Sequence, residues 1–313
     1  MSGRRRAFID IGTNTILCLI AEWGDGEFRV LDDLAEITRL GQGVDQTRRI
    51  SVAGEGRSAK TLRRYLEKCA SLGVEEIAAV GTSALRDARN SGEVLERWRQ
   101  QLGLRVRVIS GEQEAAYSFL AARQGLALEG RELLVIDIGG GSTEFIRGDA
   151  KGVSQTLSVD VGTVRLTERF LRSDPVTSSQ CHAMSAAIDR ALAPLGSRWL
   201  RDMPTLTLVG IAATFTTLAA VEKKLATYSP SEVHGSKLSL NEVRRQVVLY
   251  QGLTIAQRKA IPGLHPGRAD VILAGAYLIE KIMMRCDTSQ VIVSDQGVRY
   301  GLLYERLARD KIY

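Results

Sequence analysis

The sequence predicts an α/β protein made of two duplicated domains, and three observations carry that expectation. Apolar, β-rich runs alternate with helical patterns along the whole chain. A strand–Asp-x-Gly–turn–strand unit occurs at Asp10-Ile11-Gly12 and again at Asp137-Ile138-Gly139, each heading its own half. The length, 313 residues, exceeds one ordinary core and suits two domains of about 150 residues each. The expected divisions are 1–124, 125–296 and a closing helix over 297–313 seated on the first domain.

Taken in order, residues 7–10 and 16–23 read as strands joined by a polar turn containing Gly12 and Asn14, and 28–40 continues as a third antiparallel strand. Residues 51–72 turn helical, with Leu62, Leu66 and Cys69 on one face. A strand at 77–80, helices at 84–88 and 94–101, and a strand at 104–109 follow. Ser110-Gly111 opens a helix to about Arg123, and 124–131 reads as a linker. The second half begins again with a strand at 133–137, the Gly139-Gly140-Gly141 turn and a strand at 143–147. The longest uncharged run, 203–221, starts at Met203-Pro204 and carries five threonines, so it fits a buried strand and helix better than a membrane span. A helix is expected over 267–284.

Composition narrows the function. With 44% hydrophobic and 25% charged residues the chain is neither disordered nor fibrous. Aromatics at 5% argue against reading bases by stacking, so no nucleic-acid partner is expected. The balance of 42 Lys+Arg against 36 Asp+Glu, a net +6, suits an anionic partner. Arg4 to Arg6 resemble the start of a signal peptide, but Asp10 falls where its apolar stretch should run. Cys18, Cys69, Cys181 and Cys286 form no C-x-x-C pair and read as reduced core thiols. The expected location is the cytoplasm, with no membrane partner.

An aspartate ending a buried strand cannot serve the core, and glycines directly after it let backbone N–H groups approach an anion closely. Asp10-Ile11-Gly12-Thr13-Asn14-Thr15 and Asp137-Ile138-Gly139-Gly140-Gly141-Ser142-Thr143-Glu144 both have this form, and facing domains would make them opposite walls of one cleft. Neither is a Walker loop or a dinucleotide fingerprint. Ser110 and Gln113 form a capping box, with Glu114 just behind it. In Gly81-Thr82-Ser83-Ala84-Leu85-Arg86, Thr82 or Ser83 caps a helix and Arg86 falls in its first turn. A cation is disfavoured there unless an anion binds; pairing with Asp87 or another surface acid is the plainer alternative. Arg268, near the start of the 267–284 helix, is either a second anion contact or a surface arginine. His182, His234 and His265 lack ligand spacing, and Val233-His234-Gly235 is read as shaping a loop.

Seven stretches in order carry a resemblance: AFIDIGTNT (7–15), AVGTSALRDARN (79–90), ISGEQEA (109–115), VIDIGGGSTE (135–144), Glu232-Val233-His234-Gly235, PGLHPGRADVILAGA (262–276) and VSDQGVRYGLL (293–303). In these the chain resembles the exopolyphosphatase/guanosine-pentaphosphate phosphatase (Ppx/GppA) family nearly end to end. The resemblance implies two actin-like, ribonuclease-H-type (ASKHA) domains around an interdomain cleft. It further implies Glu114 as the catalytic base. Asp10, Asp137 and Glu144 become holders of a divalent cation, usually Mg2+. Phosphate contacts fall to Gly12, Thr13, Asn14, Arg86, Gly139, Gly140, Gly141, Ser142 and Arg268.

The implied activity is metal-dependent release of terminal orthophosphate from inorganic polyphosphate, with a preference for short chains left open. Hydrolysis of guanosine pentaphosphate is the second reading. An actin-like kinase and a non-catalytic polyphosphate-binding protein are weaker ones, and a homodimer is compatible with all of them. Two departures bear on these readings. Gly210-Ile211-Ala212-Ala213-Thr214 stands where the family often has Gly-Gly-Thr, which weakens nucleotide binding. The sequence also ends at Tyr313, without the C-terminal helical domains of longer relatives, which puts long-chain processivity in doubt.

Overall fold

Along β1 (Arg4–Ile11) the side chains of Ala7, Ile9 and Ile11 enter one apolar layer and Phe8 enters another, because successive residues of a strand face opposite ways. Arg6 and Asp10 therefore share the face of Phe8. In this computed structural model, which describes residues 3–24, 27–196, 199–200 and 206–310, the chain divides into two units, Met1–Ala121 with Val298–Tyr313, and Ala122–Gly297.

In the first unit β2 (Thr15–Gly24) and β3 (Glu27–Ile37) follow β1 as an antiparallel meander. After α1 (Val44–Thr47) and α2 (Val52–Ser71), β4 (Glu76–Gly81) returns parallel to β1. Next come α3 (Ser83–Asp87), α4 (Ser91–Leu102), β5 (Val106–Val108) and α5 (Gly111–Gly125). The sheet order is β3-β2-β1-β4-β5. Leu62, Tyr65 and Cys69 of α2 and Val94 and Trp98 of α4 pack on the face of Ile9.

The second unit repeats the plan. β6 (Leu133–Ile138), β7 (Thr143–Asp149) and β8 (Gly152–Val159) form the meander. α6 (Thr163–Phe170), α7 (Ser178–Ala191), β9 (Thr207–Ile211), α8 (Ala212–Glu222), α9 (Pro230–Val233), β10 (Lys237–Ser239), α10 (Leu240–Gln251), α11 (Ile255–Arg258), α12 (Ile272–Arg285) and β11 (Gln290–Val293) complete it. Apart from the edge strand β10, the order β8-β7-β6-β9-β11 matches β3-β2-β1-β4-β5 in sequence order and in strand direction. Both units are thus actin-like.

The chain then returns as α13 (Val298–Asp310), whose Val298, Tyr300, Leu302 and Leu303 join Tyr117 and Ala121 of α5 on the Phe8 face. Ion pairs lock its far end, with Asp310 bonded to Arg6 at 2.5 Å and Arg306 to Glu76 at 3.1 Å. Among the described residues no helix is long and apolar enough to cross a membrane. All four cysteines are free and buried.

Several elements differ from the expectation. The third strand stops at Ile37, three residues short of Leu40, because Thr38 and Arg39 turn their N–H groups onto Asn14 O. The strand expected over 104–109 is only Val106–Val108. The linker expected from Gln124 begins inside α5, which runs to Gly125. The helix expected over 267–284 is two pieces, a single 3-10 turn at Pro266–Arg268 and then α12. Ala269 O, which a continuous helix would use internally, accepts Arg258 Nη1 at 3.3 Å instead. The Met203-Pro204 start of the uncharged run lies outside the described residues.

α13 approaches α5 at Gly301, where a Cβ would stand 2.2 Å from Tyr117 O. Gly301→Ala is therefore expected to destabilise by about 1–3 kcal/mol, since backbone cannot yield as a side-chain tip can. A lowered thermal midpoint by circular dichroism checks this; an unchanged midpoint would show that α13 shifts at no cost.

Candidate functional site

In each unit the aspartate-bearing strand ends in a turn closed the same way. Gly12 N donates to Thr15 O at 3.1 Å, and Gly139 N donates to Ser142 O at 3.0 Å. In the second unit the start of α6 sits against this turn. Thr163 N bonds Gly139 O at 3.0 Å, while Val164 N and Arg165 N bond Gly140 O at 2.9 and 3.1 Å. Gly162 allows this approach, because a Cβ there would lie 2.5 Å from Gly140 C and O. Asp137 and Glu144 are cross-strand partners of β6 and β7, so their side chains share one face. Ser158 Oγ donates to Glu144 Oε1 at 3.0 Å. Two like charges directly opposite repel, and a bound cation would offset that repulsion.

In the first unit the capping box is present in both directions, Ser110 N to Gln113 Oε1 at 3.1 Å and Gln113 N to Ser110 Oγ at 3.2 Å. It starts α5 so that Glu114 meets Arg86, whose Nη1 lies 3.0 Å from Glu114 Oε2 and donates to Ile109 O at 3.1 Å. The Glu114 side chain is 15% exposed. Burial raises its pKa above the usual carboxylate value; Arg86 and a hydrogen bond from Thr82 oppose this, and Asp87 adds to it. Asp10 is half-buried, and its Oδ1 is closed from solvent with no hydrogen-bond partner. Burial first, then the neighbouring Glu114, pushes Asp10 up to about 7, with Arg299 pulling the other way.

The expected helix-start site around Arg86 is corrected. α3 has five residues, Arg86 lies in its last turn, and Thr82 makes no side-chain cap. Thr82 instead serves Glu114, and Arg86 pairs with Glu114 rather than with a surface acid. Arg268 belongs to the 3-10 turn, where His265 Nδ1 accepts from Gly267 N at 3.1 Å. Burial pushes its pKa down to about 10, leaving it charged at neutral pH, with Tyr228 and Asp270 as nearby acids. His234 ties loops together, its Nε2 bonded to Gly125 O at 2.9 Å and its Nδ1 accepting from Asp295 N at 3.2 Å. Ala212 carries a left-handed φ of 67° where the family often places glycine.

Residue pattern gives Thr82 only the role of a helix cap and gives Arg299 none. Arg299 sits inside the 293–303 stretch and grips Asp33 with both arms, at 2.8 and 2.9 Å. Among the described residues no three His, Cys, Asp or Glu side chains gather as a cation cage.

Two actin-like units, each with an aspartate strand and a glycine turn at the same sheet edge, define a phosphohydrolase of actin-like build. Residues 19–310 match the model of the Ppx/GppA phosphatase family, and the chain belongs to that family. Exopolyphosphatase 2 of Mycobacterium tuberculosis is 36% identical to it over 96% of this chain and 98% of that protein. The guanosine-5'-triphosphate,3'-diphosphate pyrophosphatase of Vibrio atlanticus is 28% identical, over 96% of this chain and 58% of its own. The crystal structure of the Aquifex aeolicus Ppx/GppA family member has a TM-score of 0.82 at 33% identity, covering 98% of both chains. An exopolyphosphatase from Cytophaga hutchinsonii has a TM-score of 0.89 at 29% identity, covering 97% of this chain and 98% of that one. The protein is an enzyme acting on phosphoanhydride bonds.

The raised Asp10 pKa has a definite sign. Its neutral form is preferred in the folded state, so its contribution to stability is full below about pH 4 and lost as pH rises toward 7. Asp10→Asn is expected to melt higher than wild type at pH 8 and to converge with it near pH 4. Parallel melting curves from pH 4 to 8 would show that Asp10 is not perturbed.

Proposed function

We propose that the protein releases terminal orthophosphate from inorganic polyphosphate by metal-dependent hydrolysis. The observation that carries this reading is Glu114, a buried carboxylate with a raised pKa held by Arg86 and Thr82. Hydrolysis of a phosphoanhydride asks the protein mainly for positioning and charge neutralisation. In this reading Glu114 takes the proton of the attacking water, its raised pKa making it a stronger base than an ordinary glutamate. Backbone N–H groups of Gly12 to Asn14 and Gly139 to Ser142 hold phosphate oxygens, with Arg86 and Arg268 supplying positive charge.

Asp137 and Glu144 fit a cation of the Mg2+ type, which uses one or two carboxylates and fills its shell with water and phosphate oxygens. In the first unit the unsatisfied Oδ1 of Asp10 is by itself an acceptor that a cation would satisfy. When bound, such an ion neutralises charge on the phosphoryl oxygens. Guanosine pentaphosphate is the second reading, favoured by the Vibrio relative and weakened by Ala212 and Ala213. Phosphate release from defined polyphosphates, guanosine pentaphosphate and ATP, with and without Mg2+, separates these readings. Release from none of them would reverse the proposal in favour of a binding protein.

Glu114→Gln is expected to keep the fold and lose roughly 10²–10⁴-fold in kcat. Wild-type turnover in that variant would remove Glu114 from the reaction. Asp137→Asn and Glu144→Gln are expected to raise the Mg2+ requirement, with partial rescue at high metal. An unaltered metal titration would end the metal assignment.

Arg86→Ala is expected to act twice. It weakens binding and flattens the log-salt slope by roughly one unit, by analogy with nucleic-acid phosphates. It also moves the acid limb of the kcat–pH profile upward, since Arg86 holds the Glu114 pKa down. A pH profile identical to wild type would show that the ion pair does not govern Glu114.

A further inference from the structure

Arg258 ends the short helix α11 and is only 1% exposed. Among the described residues no carboxylate forms an ion pair with it, and its Nη2 is closed from solvent without a hydrogen-bond partner. Burial pushes its pKa down, opposed by Asp174, Cys181, Tyr250 and Asp270, and an arginine keeps its charge even so. A buried charge without an acid beside it is costly, so a position that asked only for apolar volume would be better filled by methionine or leucine. The guanidinium instead forms a bridge. Its Nε donates to Tyr250 O at 2.8 Å, taking a carbonyl left over at the end of α10. Its Nη1 donates to Ala269 O at 3.3 Å, eleven residues further on, and so closes the loop 259–268.

The loop is anchored along its length. At its base, Thr254 and Gln257 cap α11 in both directions, and Asp174 Oδ1 accepts Ile255 N at 2.8 Å. In its middle, Gly263 packs so close to α8 that a Cβ there would stand 2.3 Å from Ala220 O. Its end is the Pro266–Arg268 turn, and the carbonyl that Arg258 grips belongs to the residue directly after Arg268. Capping α10 accounts for Nε alone. The second bond fixes the main chain one residue past Arg268, where the turn would otherwise run on into α12. We propose, on the reading of Arg268 as a phosphate contact, that Arg258 is a positioning residue for that contact, its fork tying the Arg268 turn to the end of α10. Freedom removed from the turn beforehand is freedom that the substrate need not remove on binding.

Arg258→Met keeps most of the volume and removes both donors. The fold is expected to survive, since loss of an unpaired buried charge offsets the two lost carbonyl bonds. With polyphosphate as substrate, KM should rise about tenfold and kcat should stay within twofold. The log-salt slope of KM should flatten by roughly one unit, as though Arg268 itself were lost. In an Arg268→Ala background the same change should add nothing to KM, because residues that act through one contact are not additive. Arg258→Lys keeps the charge, but a single ammonium cannot bridge both carbonyls, and its KM should rise about threefold. If Arg258→Met does not fold, Arg258→Lys is read in its place. A wild-type KM and salt slope in the folded variant, or a KM effect that persists in full on Arg268→Ala, would overturn the Arg258 assignment. A wild-type KM in Arg268→Ala would overturn it too, while leaving the activity in place. No turnover of polyphosphate by wild type would overturn the functional reading and this proposal with it.

Discussion

One main-chain hydrogen bond recurs at the end of both aspartate strands, from Gly12 N to Thr15 O and from Gly139 N to Ser142 O. It reverses the chain within a residue or two of Asp10 and Asp137, so each carboxylate stays at the sheet edge while the strand before it is buried. The next two carbonyls or so are left pointing out of the ladder, and buried carbonyls need donors. The units answer this differently. In the second unit the first N–H groups of α6 take Gly139 O and Gly140 O, whereas in the first unit the loop 38–41 takes Thr13 O and Asn14 O. The same turn is therefore braced by a helix start in one case and by a loop in the other.

Burial sets the chemistry. Glu114 adds to the difficulty Asp10 has in ionising, burial is what hinders Glu114, and each carboxylate has one arginine working against its shift, Arg299 and Arg86 respectively. Arg299 is itself committed to Asp33 through both arms, with Tyr300 adding a third donor to the same carboxylate at 3.1 Å. Its charge is thus already shared, and it lowers the Asp10 pKa without bringing it back to an ordinary value. Arg86 is similarly placed by Ile109 O as well as by Glu114.

The parts legible from the sequence were those written in local pattern. The Ser110–Gln113 capping box, the two Asp-x-Gly hairpins and the strand–helix alternation all depend on neighbours a few residues apart. Arg86 with Glu114 was not legible as a pair, because 28 positions separate them and local rules offered a helix start instead. The 267–284 helix was misplaced for a similar reason. The apolar period continues through Ala269, but Arg258, distant in sequence, takes the carbonyl the helix would have needed. Ala212 teaches the converse. An alanine there carries a left-handed backbone that glycine would signal, so residue identity alone hid the turn.

The first unit is assembled from both ends of the chain, with α13 closing the Phe8 face after the whole of the second unit has been made. During synthesis the second unit, being continuous, can fold as it leaves the ribosome. The first must wait, its Phe8, Leu19 and Val80 layer uncovered and Asp33 and Arg6 without their α13 partners. Domains that emerge first usually fold first. Here the order is inverted, and the unit whose strands are translated before the second unit is the one that depends longest on protection from aggregation.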